Sequence, residues 1–177
     1  MKKILQLALV CAMALGAMSI TSCSKEEAAK YTYTYDGVKK TIVWAGYYHR
    51  NNETQDGYCF GISPTVPNEY LFEEVNFFEV DYPAEQINEK CDLSEYCGGA
   101  GWAFYGYFRS NGTFYYFEDN DSGGDISGSN NWVKVTKNAG EHNFTLEFDM
   151  TIGGKRLVGN YTGIFKKYED YAAVGGA

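Results

Sequence analysis

Tyr105, Tyr107 and Arg109 alternate along one stretch, and Phe114 and Tyr116 answer them across Asn111-Gly112. Asn-Gly between β-prone runs predicts a two-residue type I′ turn, because both central residues need positive φ. That turn sets Ser110 opposite Thr113, Phe108 opposite Tyr115 and Gly106 opposite Phe117. Successive strand residues point to opposite faces. Tyr105, Tyr107, Arg109, Phe114 and Tyr116 therefore share one face, and Trp102, Phe104, Phe108, Tyr115 and Phe117 share the other. A sandwich strand ordinarily keeps one face wet, so a hairpin aromatic on both sides has two readings. Tyrosine offers apolar area with a polar tip, and Tyr105, Tyr107, Arg109 and Tyr116 would then form a platform for a glycan or for a peptide of a partner protein. Alternatively the hairpin is central and covered on both sides, for example by residues 82–96, and this second reading is preferred.

The run Asp119-Asn120-Asp121-Ser122-Gly123-Gly124-Asp125 sets oxygens at positions one, three and seven around a glycine at six. That resembles the opening of a calcium-binding loop, with Asp119, Asp121 and Asp125 as candidate ligands. Gly123 stands at the fifth position, and Asn130 stands where a closing bidentate Glu belongs. A solvated connection between strands is the plainer reading, and calcium is the one cofactor the sequence suggests.

Other chemistry is thinly marked. The chain has two histidines, His49 and His142, both in expected turns. No GxSxG, HExxH or phosphate-cradling GxxxxGK[ST] is present. Glu73, Glu74, Glu79 and Glu118 are carboxylates on strand-like segments, but nothing in the sequence pairs them as a glycosidase requires. Three cysteines fall in the folded part: Cys59, Cys91 and Cys97. Cys91 and Cys97 share a loop-like segment and are the expected disulfide, with Cys59 left over; three buried thiols are the alternative. No CxxC supports zinc or thioredoxin-type chemistry.

The elements that hold these residues read as strands. The chain of 177 residues is 17% aromatic, with 16 Tyr, 11 Phe, 20 Gly and 3 Pro. Tyr and Phe favour strands and Gly punctuates turns. Residues 31–35, Asp36-Gly37 and 38 onward form a first hairpin, pairing Tyr35 with Val38 and Tyr33 with Lys40, its second strand running through Trp44 to about Tyr48. Residues 58–62 form a strand, and residues 70–80 another with a bulge at Glu73-Glu74. Pro83 opens a short helix over residues 84–90. Residues 132–137 are a strand. Phe144, Leu146, Phe148, Met150 and Ile152 alternate with polar residues, turn at Gly153-Gly154, and pair Met150 with Leu157, Phe148 with Gly159, Leu146 with Tyr161 and Phe144 with Gly163. Phenyl rings laid across bare glycines recover packing that glycine forfeits. These signals give an all-β domain: one antiparallel β-sandwich or flattened β-barrel of about nine strands over residues 31–168, with a tail at 169–177.

The first residues give an address. Lys2 and Lys3 precede an uncharged, mainly apolar run that ends in small residues, as in a secretory signal peptide. Ile20-Thr21-Ser22-Cys23 resembles the lipobox of bacterial lipoproteins, which implies cleavage after residue 22 and acylation of Cys23. Two or more acyl chains anchor stably. Ser24-Lys25-Glu26-Glu27 resembles the signal that sends Bacteroidetes lipoproteins to the cell surface, with residues 23–30 as a tether. A solvated charged linker is an equal reading. The chain as a whole resembles the small β-rich lipoproteins of that group, with residues 156–165 similar to their Gly-rich closing strand. The resemblance implies an outer-membrane, surface address and no substrate. The net charge is −8 and falls further once Lys2 and Lys3 leave. An acidic chain of this kind is a poor partner for nucleic acid. The rival to a binding module is a structural or protein-interaction lipoprotein of an envelope assembly, with no small ligand.

Overall fold

Asp-Gly, Asn-Gly and Gly-Gly dominate the local structure, and each does what its backbone allows. Asp36 and Gly37 have φ of 52° and 75°, Asn111 and Gly112 of 50° and 85°, and Gly153 and Gly154 of 59° and 74°. Positive φ at both centres matches the right-handed twist of the flanking strands. The three hairpins follow with the registers expected from the turns: Tyr35 opposite Val38, Phe108 opposite Tyr115, and Phe148 opposite Gly159.

The computed structural model describes residues 31–68, 70–99, 101–121 and 124–167. Cys23, the leader, the tether and the tail at 169–177 lie outside the described residues. Twelve strands run in chain order: β1 (Tyr31–Tyr35), β2 (Val38–Thr41), β3 (Trp44–Asn51), β4 (Asp56–Ser63), β5 (Phe77–Pro83), β6 (Lys90–Asp92), β7 (Tyr105–Ser110), β8 (Thr113–Glu118), β9 (Trp132–Lys137), β10 (Asn143–Ile152), β11 (Lys155–Ile164) and β12 (Lys166–Lys167). They make two six-stranded sheets, β2-β1-β11-β10-β9-β6 and β12-β3-β4-β5-β7-β8. The sheets do not close into a barrel, so the architecture is sandwich-like.

The core lies between the sheets. Phe144, Leu146, Phe148, Met150 and Ile152 of the first sheet are buried against Phe60, Ile62, Phe78, Val80, Phe108 and Phe117 of the second. Phe78 and Phe148 stack across the interface with centroids 4.0 Å apart. Burying each such ring stabilises by ~1.5–3 kcal/mol. An ideal Cβ on Gly159 would lie 2.3 Å from Phe148 Cζ, and one on Gly106 2.3 Å from Phe117 Cζ, so both rings occupy the space a side chain would take.

Three expected elements differ. The strand after the first hairpin does not run on to Tyr48. Ile42 N–H still donates to Tyr31 O, but Val43 N–H donates to Ser63 O in the other sheet, so the chain changes sheets between β2 and β3. Residues 70–76 are not a bulged strand. Leu71–Glu73 is a single 3-10 turn that buries Leu71 and rests Phe72 on Tyr107, centroids 5.2 Å apart. The helix expected after Pro83 is also one 3-10 turn, Ala84–Gln86, and the chain then pairs as β6 against β9.

Candidate functional site

Strand β5 reads Phe-Phe-Glu-Val-Asp-Tyr-Pro, and all seven residues are buried. Phe78, Val80 and Tyr82 face the core, so strand alternation sends Glu79 and Asp81 to the outer face of the second sheet. Glu79 is only 5% exposed and Asp81 only 7%. The neighbouring strands fix what lies beside them. Cys59 of β4 is opposite Asp81 and Gly61 is opposite Glu79. On the other side, Tyr105 of β7 is opposite Asp81 and Tyr107 is opposite Glu79. Tyr116 of β8 is opposite Tyr107. The outer face is thus a strip of thiol, glycine and carboxylate bordered by tyrosines.

The tyrosine border is half-buried. Tyr105 and Tyr107 meet edge to face with centroids 5.8 Å apart, and Tyr107 and Tyr116 lie at 5.6 Å. Burial, then the Asp81 charge, pushes the Tyr105 phenol above its usual range, and Tyr105 also hydrogen-bonds Asp81. Burial followed by the charges of Asp81 and Glu79 raises Tyr107. Burial raises Tyr116, which donates to Glu118 Oε2 at 2.7 Å. All three are neutral hydrogen-bond donors at physiological pH. The opposite border comes from β3. Arg50 lies 5.8 Å from the Tyr48 centroid and 5.5 Å from that of Trp102, joining the two rings through their π faces.

Of the residues singled out in the sequence, Tyr105, Tyr107 and Tyr116 do share this outer face, and Phe72 packs on Tyr107 from outside the hairpin. Arg109 shares the face but is otherwise engaged. It donates to Phe72 O at 2.7 Å and to Glu74 O at 3.4 Å, and its guanidinium lies 5.3 Å from the Phe114 centroid. It fastens the 3-10 turn to the sheet. Trp102 corrects the expected faces. Gly101, with φ of 72°, turns the chain before β7, and the Trp102 ring covers Gly57 on the outer face, so close that an ideal Cβ there would be 2.2 Å from Cδ2.

The loop after β8 has structural partners. Asp119 accepts a hydrogen bond from Cys97 N–H. Asp125 accepts from Tyr116 N–H at 2.8 Å and donates its own N–H to Tyr116 O at 2.7 Å. These bonds cover part of the β8 edge, which would otherwise present unpaired backbone. The Asp121 side chain, Ser122 and Gly123 lie outside what is described.

Cys91 and Cys97 are neighbours, as the expected pairing requires, but neither they nor Cys59 form a disulfide in this structure. Hydrogen bonding to Cys91, with burial, pushes the Cys97 thiol above its usual range. The histidines serve packing: His49 stacks on Tyr58 at 4.1 Å and bonds Asp56, and His142 Nδ1 bonds the Tyr47 hydroxyl at 2.6 Å.

The site residues the sequence reading missed are Cys59 and Asp81, and Glu79 was named without a partner. The available signal was a pair of acids at i and i+2 in a strand whose other positions are all apolar. Comparison with protein-family models, with curated proteins and with solved structures gives no match to this chain.

Proposed function

We propose that the protein is an acyl-anchored cell-surface binding module that captures a glycan or a peptide on the outer face of its second sheet. The observation that carries this reading is the strip of Glu79 and Asp81 between tyrosine borders. Carboxylates accept hydrogen bonds from sugar hydroxyls or peptide amines, while Tyr105, Tyr107 and Tyr116 offer ring faces to the same ligand. The strip combines carboxylate acceptors with aromatic area, which is what a polar ligand with apolar faces needs. The leader and Cys23 supply the address, holding the module at the outer membrane by its acyl chains.

The test is a thermal-shift screen of the mature chain carrying Cys23→Ser against soluble oligosaccharides and short peptides, with a chelator present throughout. A ligand at a hundred times its Kd adds ~2.7 kcal/mol, which raises the midpoint by roughly 5–10 °C for a chain of this size. A panel without any shift contradicts the reading.

A second reading, a protein-interaction lipoprotein, draws on the rim of the same face. Tyr70, Val75 and Phe114 are 38%, 57% and 42% exposed, and they cluster around the turn that Arg109 fastens. Exposed aromatic anchors of this kind favour a folded protein partner over a free sugar. Capture of a single envelope protein that is lost in Phe114→Ser supports this reading, whereas an oligosaccharide shift unaffected by Phe114→Ser supports the first.

A further inference from the structure

The register of β4 and β5 brings unlike ligand types together. Cys59 is directly opposite Asp81, and Glu79 is two residues along the same face of β5. The Cys59 sulfur and one oxygen from each carboxylate all lie within 4.8 Å of one another. We propose that Cys59, Glu79 and Asp81 bind a thiophilic divalent cation of the zinc class.

Donor chemistry selects that class. Calcium and magnesium take oxygen ligands, whereas zinc accepts a thiolate together with carboxylates. The framework is rigid, because β5 is hydrogen-bonded on one side to β4 and on the other to β7. The ligands therefore sit on central strands and not on a mobile loop. Tyr105, which hydrogen-bonds Asp81, orients that carboxylate from outside the ligand set. A separate feature lies alongside. Trp102 is 8% exposed and covers Gly57, two residues from Cys59 on the same strand face, and its indole Nε1–H has no protein partner. That donor suits an oxygen of a water or ligand carried by the cation. Three protein ligands leave a fourth tetrahedral position for such a group. Binding converts the Cys59 thiol to a metal-bound thiolate and releases one proton to solvent, so affinity rises with pH.

The cation site shares Glu79 and Asp81 with the strip proposed to capture the ligand, and its test uses metal alone. The mature chain with Cys23→Ser is titrated with Co2+, which gives thiolate-to-metal charge transfer in the near ultraviolet. One equivalent is expected to saturate the band, and Zn2+ to displace it. The band is lost in Cys59→Ser and kept when Cys91 and Cys97 are both changed to Ser. Glu79→Gln with Asp81→Asn gives a second variant that retains the thiol and loses tight binding. Tyr105→Phe weakens Co2+ binding by about 10–100-fold, the usual effect of removing an orienting partner. Absence of the band in the parent chain, or its persistence in Cys59→Ser, overturns the proposal. Glycan shifts measured with chelator report on the ligand strip separately, so failure of one idea leaves the other standing.

Discussion

The two sheets share a core, yet their outer faces differ in kind. On the first sheet, β10 and β11 present Thr145, Glu147, Asp149, Thr151, Arg156, Asn160 and Thr162, a polar surface linked by Arg156 to Asp149 at 2.7 Å, Asn160 to Glu147 at 3.1 Å and Thr145 to Thr162 at 3.0 Å. That is the ordinary wet face of a sandwich. On the second sheet the corresponding face carries Gly57, Cys59 and Gly61 on β4, Glu79 and Asp81 on β5, and tyrosines on β7. A single strand explains the contrast. β10 alternates dry and wet, whereas β5 is buried on both sides. A sheet that needs only to cover a core has no reason to bury acids on its far side. The difference is that the second outer face is largely covered, whereas the first faces solvent.

Substitutions on the two faces test that difference. The largest stability effect is expected from Gly57→Val. A side chain there collides with the Trp102 ring, an overlap that puts the cost at about 3 kcal/mol, the upper end for overpacking; Thr151→Val on the first sheet stays within about 0.5 kcal/mol. Urea unfolding of both variants checks the pair, and equal losses would erase the distinction. Next is Arg109→Ala, which removes charged hydrogen bonds to Phe72 O and Glu74 O and should cost roughly 1.5–3 kcal/mol. Its effect belongs to stability, with proteolysis near residues 70–76 as the local readout. Arg156→Ala breaks an exposed pair on the first sheet and is expected to cost about 0.2–1 kcal/mol, less at high salt. The smallest effect is at Asp92, whose carboxyl is held below its usual range by the Ser94 backbone N–H and then the Ser94 hydroxyl. A depressed carboxyl adds stability above its unfolded pKa and loses it as pH falls through the folded one. Asp92→Asn should therefore melt slightly lower than the parent at pH 7, and the gap should close in acid.

How much of this was legible in the sequence follows from distance along the chain. The three hairpins could be read with their registers because Asp36-Gly37, Asn111-Gly112 and Gly153-Gly154 fix pairing between residues that are close in sequence. The sheet change at Ile42-Val43 could not, since no Gly or Pro marks the corner and the Val43 bond goes to Ser63, in another strand. The turn at Leu71–Glu73 was hidden for the same reason: it is held by Arg109, far along the chain. The strip itself depends on β4 and β7 flanking β5, and the β5–β7 pairing spans the whole segment from Ala84 to Phe104, β6 included. Tyr105, Tyr107 and Tyr116 were visible as one face through their own hairpin. Their carboxylate neighbours were visible only as acids out of place in an apolar strand.

The central claim is that ligand capture belongs to the outer face of the second sheet. The most direct measurement is calorimetric titration of the strongest-shifting oligosaccharide or peptide against the parent, Tyr107→Ala and Asn160→Ala. Loss of a stacking tyrosine at a binding centre costs about 2 kcal/mol or more, roughly thirtyfold in Kd. The account predicts that loss in Tyr107→Ala, with Asn160→Ala matching the parent. Unchanged affinity in Tyr107→Ala, or loss in Asn160→Ala alone, would contradict it.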